Sequence, residues 1–212
     1  MPITFHENID QDTAIGLWQI TESTADLEAR LQLKAHELLL LNSLSNDKRN
    51  LHWLATRVLL RKMLNTNEYI DCQADQNGKP ILINHPYFIS LSHSYDYAAV
   101  MISKTKQVGI DIEIIKDKIV RVQNKFLNQT ELDHIDEEAR IEKLYVYWCA
   151  KEALYKLNGK KETSFKDHIH IKPFNYLPYG ELSATIEKAN TADAYRVHYK
   201  KIENYMLGYV CK

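Results

Sequence analysis

Two carboxylates stand one residue apart in the run Val108-Gly109-Ile110-Asp111-Ile112-Glu113-Ile114-Ile115. The alternation of apolar and acidic positions predicts a strand with Asp111 and Glu113 on one face and Ile110, Ile112 and Ile114 on the other. Like charges side by side are unfavourable unless a cation or a solvated surface relieves them. The pair is therefore either an ordinary polar outer face or part of a cation site. A second group lies in Trp148-Cys149-Ala150-Lys151-Glu152-Ala153-Leu154-Tyr155-Lys156. Glu152 and Lys156 are four apart and share one helix face. Apolar and aromatic side chains surround nearly the whole helix from Leu144 to Leu157, which predicts burial, and buried charges need partners. A simple i,i+4 ion pair is the plain alternative.

A third group is Arg57 and Arg61, set among Trp53, Leu54, Val58, Leu60 and Leu64 on adjoining faces of a helix. Half-buried arginines ask for a carboxylate or a phosphate. The fourth combines Lys79, in the turn Gln76-Asn77-Gly78-Lys79-Pro80, with Leu91-Ser92-His93-Ser94 at a strand end. Neighbouring Ser92 and His93 point to opposite faces of a strand and cannot form a nucleophile–base pair, and no GxSxG elbow is present. A loop Lys, a Ser hydroxyl and a His at a strand end suit phosphate contact, or plain hairpin structure. His168-Ile169-His170 places two imidazoles on one strand face but brings no third ligand at a metal-site spacing, so a structural role is expected. Cys149 lies inside the apolar helix and reads as a core thiol.

The elements that must position these groups follow from periodicity. Leu spacing over residues 24–44 predicts one amphipathic helix, and a second runs from about Asn46 to Leu64 with Asn46 or Asp47 as N-cap. Two strands, Tyr87–Ser92 and Tyr97–Ile102, turn through Ser94-Tyr95-Asp96. The strand Val108–Ile115 opens the second part. Asn128 is placed to cap a helix with Glu131 reaching back to it. The helix Ile141–Leu157 stops at Asn158-Gly159, and strands Leu182–Glu187, Ala194–Lys201 and Tyr205–Cys211 complete the chain. Each part thus offers a helical portion and a strand hairpin. The expectation is two similar α+β halves, residues 1–105 and 106–212, without a residue-level repeat.

Composition sets bounds. In 212 residues with 45% hydrophobic content, 6 Gly and 5 Pro, a sizeable core is within reach. With 27 Lys+Arg against 28 Asp+Glu, nothing points to nucleic acid or a membrane surface as a bulk partner, so anion binding must be local. Three widely spaced cysteines, without a CxxC, read as reduced thiols. No signal-peptide pattern opens the chain and no apolar run reaches membrane-spanning length, so a cytoplasmic protein is expected.

Taken together and in this order, these residues resemble the 4′-phosphopantetheinyl transferases, in their monomeric, surfactin-synthetase-activator type. That signature is an (I/V)-G-(I/V)-D-x-E strand, about forty residues, then W-x-x-K-E-(A/S)-x-x-K. Val108–Glu113 and Trp148–Lys156 match it, Phe126–Glu131 looks like the F-x-x-x-x-E helix start, and Gly78-Lys79-Pro80 and Ser92-His93-Ser94 match the N-terminal motifs. The resemblance covers roughly residues 46–157. It implies a pseudo-duplicated α+β fold with the active site between the halves, cofactor contacts in the first and metal and catalytic motifs in the second. It implies transfer of phosphopantetheine from coenzyme A to a serine of an apo acyl or peptidyl carrier protein, with release of 3′,5′-ADP. By resemblance, Asp111, Glu113 and Glu152 hold Mg²⁺, and Glu152 or a metal-bound water takes the serine proton. Lys156 stabilises charge on the diphosphate. Lys79, Ser92, His93 and, by a looser match, Arg57 contact cofactor phosphates. The segment Ile115–Phe126 mixes Lys116, Lys118, Arg121 and Lys125 with Ile119, Val120, Val122 and Phe126. It is expected to dock the carrier unless its apolar side completes the core. A silent coenzyme A or carrier-binding module and a Mg²⁺-dependent small-diphosphate phosphohydrolase are the rival readings.

Overall fold

The computed structural model describes residues 3–44, 46–188 and 191–212. The chain runs β1 (Phe5–Asn8), β2 (Thr13–Gln19), α1 (Thr24–Glu28), α2 (Ala35–Ser43), α3 (Asp47–Met63), β3 (Cys72–Ala74), β4 (Pro80–Leu82), β5 (Phe88–Ser94) and β6 (Tyr97–Ser103). It continues through β7 (Val108–Ile114), a 3₁₀ turn (Asp117–Val122), α4 (Gln123–Phe126), α5 (Gln129–Leu132) and α6 (Arg140–Asn158). It ends with β8 (Ile169–Ile171), β9 (Tyr179–Lys188), β10 (Thr191–Ile202) and β11 (Tyr205–Cys211). Two antiparallel sheets result, β1-β2-β6-β5 and β7-β11-β10-β9-β8, with β3 and β4 forming a separate hairpin.

Side-chain alternation stacks these elements in layers. In β2 and β6, Trp18, Ala98, Val100 and Ile102 face α3 and meet Leu54, Val58 and Leu59. The intervening residues Ile15, Leu17, Ala99 and Met101 face the other way, onto Val108, Ile110, Ile112 and Leu207 of the second sheet. Beyond that sheet lies α6, whose Leu144, Val146, Ala150, Ala153 and Leu154 share a core with Val197, Met206 and Val210. The order is helix, sheet, sheet, helix. Two glycines permit the last contact. A Cβ on Gly109 would overlap the Ala153 carbonyl oxygen, and one on Gly208 would crowd the Cys149 backbone. The helix therefore lies directly against the strand that carries Asp111.

The single helix expected over residues 24–44 is two helices, α1 and α2, with a turn between them. Ser23 and Asp26 make a capping box for the first, and the Glu37 side chain accepts the Lys34 N–H to restart the second. The break lets Leu31 and Leu33 turn onto the core beneath α3. Asn46 caps α3 by accepting the Arg49 N–H, and Gly159, at φ 65°, closes α6 in the left-handed region. Strands β1, β2, β3 and β4 were not expected. Among the described residues, no helix is long and apolar enough to cross a membrane.

Candidate active site

The acidic strand sits at the seam between the sheets. Both β5 and β7 are edge strands, and they lie alongside each other without a backbone ladder. The serines Ser90, Ser92 and Ser94, on alternate residues of β5, accept the N–H groups of Ile110, Ile112 and Ile114 at 3.0, 3.3 and 3.1 Å. Two of them donate onward, Ser92 to Asp111 Oδ1 at 2.8 Å and Ser94 to Glu113 Oε2 at 2.7 Å. The face predicted for Asp111 and Glu113 is thus the one turned from the inter-sheet core toward α6.

From α6, Lys156 donates to the Ile110 carbonyl at 3.0 Å and to Asp111 Oδ1 at 2.8 Å. With Ser92 and Lys156 both on Oδ1, the buried Asp111 Oδ2 is left without a hydrogen-bond partner. An orphaned buried carboxylate oxygen calls for a cation or a water. Glu152, one turn before Lys156, has no hydrogen bond or ion pair among the described residues. Burial first, and the Asp111 charge second, push its carboxyl up to about 7. Glu113 is also raised, by burial and then by Asp111. The three carboxylates therefore feel one another. Yet no group of three or more His, Cys, Asp or Glu among the described residues is arranged to hold a metal ion. Like charges repel, and Ser94, Ser92 and Lys156 draw Glu113 and Asp111 to their own partners. The donor set, three carboxylates of which Asp111 keeps an orphaned buried oxygen, fits a hard cation such as Mg²⁺, but it is not closed around one.

The same helix carries a contrasting pair. Lys151 and Glu131 are fully buried, 2.6 Å apart. The Lys151 ammonium also reaches the carbonyls of Phe126, Phe165 and Ile169 at 2.8–2.9 Å, and Glu131 accepts the N–H groups of Asn128 and Ile171. This ion pair bolts α5 and the stretch before β8 onto α6. Sequence reading found Glu131 only as a cap and gave Lys151 no role.

A cleft of about 190 Å³ opens beside Lys156, lined also by Gly78, Lys79, Pro80, Leu91, Tyr155 and Gly159. Lys79 donates to the Leu157 carbonyl at 2.8 Å, at the negative end of α6, and burial lowers its pKa. Arg57 lies in a neighbouring groove with Trp53, Leu40 and Cys72, which shares Gly78 and Pro80 with the cleft. Its guanidinium stacks 3.6 Å from the Trp53 ring centroid, its Nε has no partner, and burial lowers its pKa to about 10. His93 stacks on His52, 4.3 Å between centroids, while His52 Nε2 bonds the Tyr95 carbonyl. Desolvation first, then His52 and Lys156, push His93 down to about 4, so its ring is neutral at neutral pH although it reaches solvent.

Ser92 donates its hydroxyl proton to Asp111, so in this structure it supports the carboxylate. One expectation needs correction. In the segment 115–126, Ile115, Ile119 and Phe126 are buried in the core and Val120 and Val122 pack against it. The apolar half of the expected docking surface is thus consumed, while Lys118, Arg121 and Lys125 remain exposed. As expected, Cys149 is a fully buried free thiol. His168 accepts the Ser164 N–H and His170 meets Asn128, which are structural contacts.

Residues 107–210 match the model of the 4′-phosphopantetheinyl transferase superfamily. The chain is 30% identical over 113 residues to the 4′-phosphopantetheinyl transferase AcpT of Escherichia coli K12, covering 50% of this chain and 57% of that protein. It is 35% identical over 97 residues to the transferase psf-1 of Bacillus pumilus, covering 44% and 41%. It is 32% identical over 117 residues to AcpT of Salmonella typhimurium LT2, covering 52% and 60%. In each case the match spans less than two thirds of the relative's length. These likenesses support the 4′-phosphopantetheinyl transferase family and an enzyme of that type.

Proposed function

We propose that the chain transfers the 4′-phosphopantetheine group of coenzyme A to a serine hydroxyl of an apo carrier protein. The observation that carries this reading is the under-partnered set on one helix face and one strand face, Glu152 and Lys156 against Asp111 with its orphaned Oδ2. Mg²⁺, held by Asp111, Glu113 and Glu152, would neutralise diphosphate charge and polarise the phosphoryl group under attack.

This chain's own groups do the rest. The acceptor serine oxygen forms a bond to the phosphorus on the pantetheine side of the diphosphate, and the bond from that phosphorus to the bridging oxygen breaks. The serine proton passes to Glu152, whose side chain has no hydrogen bond or ion pair of its own among the described residues. The leaving group is 3′,5′-ADP. Lys156 is fixed at Asp111 beside the cleft, where its charge stabilises the negative charge growing on the departing diphosphate oxygen. Lys79 has two N–H groups left after Leu157 for a cofactor phosphate, and Arg57, half-buried with an unpartnered Nε, suits a second across the β3–β4 hairpin. Neutral His93 adds a hydrogen bond, and an adjacent phosphate would draw its pKa back up. The reading includes a surfactin-activator-type monomer of two similar halves, 1–105 and 106–212, working in the cytoplasm.

The test is the intact mass of a panel of apo carrier proteins after incubation with the chain, coenzyme A and Mg²⁺. A gain of one phosphopantetheine supports transfer. Coenzyme A cleaved equally without a carrier would replace transfer with diphosphate hydrolysis, and cofactor bound without reaction would make this a binding module.

A further inference from the structure

The seam between β5 and β7 does more than close two sheet edges. An edge strand presents unpaired N–H groups. Here a row of serine hydroxyls takes them in place of another strand's carbonyls, with Ser90, Ser92 and Ser94 on Ile110, Ile112 and Ile114. A serine oxygen that accepts an N–H still has a proton to give. Ser94 gives its own to Glu113 Oε2 at 2.7 Å. Ser94 is only 7% exposed, so water does not compete freely for its hydroxyl. Glu113 itself is half-buried.

We propose that Ser94 is a positioning residue for Glu113. It holds the carboxylate aimed along the same strand face as Asp111 before a cation arrives, and it fixes the strand beneath it by the same oxygen. Ser90 makes the matching seam contact to Ile110, with no bond to either carboxylate. The two serines therefore separate positioning from seam strength. The inference rests on the reading of Asp111, Glu113 and Glu152 as cation ligands.

The experiment measures Mn²⁺ affinity of the full chain without coenzyme A, by electron paramagnetic resonance, beside the thermal unfolding midpoint, for wild type, Ser94→Ala, Ser94→Thr and Ser90→Ala. Removing a group that orients a metal ligand weakens affinity on the order of tenfold to a hundredfold. That loss is expected for Ser94→Ala, with recovery in Ser94→Thr, which keeps the hydroxyl. Ser90→Ala should lower the midpoint as Ser94→Ala does and leave Mn²⁺ affinity unchanged. Equal Mn²⁺ affinity in wild type and Ser94→Ala overturns the inference, as does an equal loss in Ser90→Ala, which would make the seam alone responsible. A wild-type chain that binds no Mn²⁺ overturns the cation reading itself, and this inference with it.

Discussion

Lys151 with Glu131, and Lys156 beside Glu152 and Asp111, bring lysine and carboxylate together at points less than two turns apart along α6, in opposite states. The first pair is dry and complete. Lys151 has a carboxylate and three carbonyls, and Glu131 has two backbone N–H groups besides. The second set is unfinished, with an orphaned Asp111 oxygen and a Glu152 carboxyl that burial and Asp111 hold up near 7. A charge whose bonds are all made inside the fold can only hold the fold. A charge left short of partners has capacity for a cation, a proton or a substrate. Lys151 and Lys156 read alike as letters, and only their partners separate structure from chemistry.

That contrast breaks most visibly at Lys151. Lys151→Ala leaves Glu131 buried and uncompensated and should cost about 3–5 kcal/mol of stability, read from denaturant unfolding. A loss near zero would remove the claim that this pair is structural. Lys156→Ala should act in the opposite way, slowing carrier modification on the order of 10²–10³-fold, as loss of one preorganised charge-stabilising donor does. Unchanged turnover would reassign Lys156 to stability alone.

The pH dependence of stability sharpens the comparison. Folding raises the Glu152 pKa from 4.5 to about 7, so the folded chain binds more protons than the unfolded chain between those values. Stability from this group is full below about 4.5 and lost as pH rises toward about 7. His93, pushed down to about 4, works in the opposite direction below its ordinary 6.5, so the difference from Glu152→Gln isolates the carboxyl. The metal-free midpoint of wild type minus that of Glu152→Gln should fall across this window, and Mg²⁺ should flatten the fall. A constant difference would contradict the strain assigned to Glu152. The smallest effect is expected on the exposed basic rim. Charge reversal at Lys118 and Arg121 should raise the carrier KM about fivefold at low salt and leave that for coenzyme A unchanged. A matching rise in both constants would exclude docking there.

Much of this site was legible in the residues because it rests on periodicity. The period of two assigned Asp111 and Glu113 to one face, and the i,i+4 spacing put Glu152 and Lys156 on one helix face, although Lys156 pairs with Asp111 and not with Glu152. Asn46 and the Asn128–Glu131 box were found as local caps. What escaped depends on distant partners. The Ser90, Ser92, Ser94 alternation was present in the sequence, but nothing local says that β7 lies beside it. Leu31 and Leu33 extend the apolar pattern of one helix, although the core draws them into a turn. Ile119 and Phe126 suited a partner helix equally well until the core claimed them. β1 and β2 gave weak signals, since β2 is buried on both faces and lacks alternation.

The central claim is that the unfinished charges on α6 do chemistry and do not hold the fold. Glu152→Gln tests it most directly, with the rate of phosphopantetheine addition to an apo carrier followed by intact mass beside the unfolding midpoint at neutral pH. The account predicts a rate lower on the order of 10²–10⁴-fold, the usual share of a general base, with a midpoint equal to or above wild type. Wild-type addition by Glu152→Gln, or a collapse of its midpoint, would contradict it.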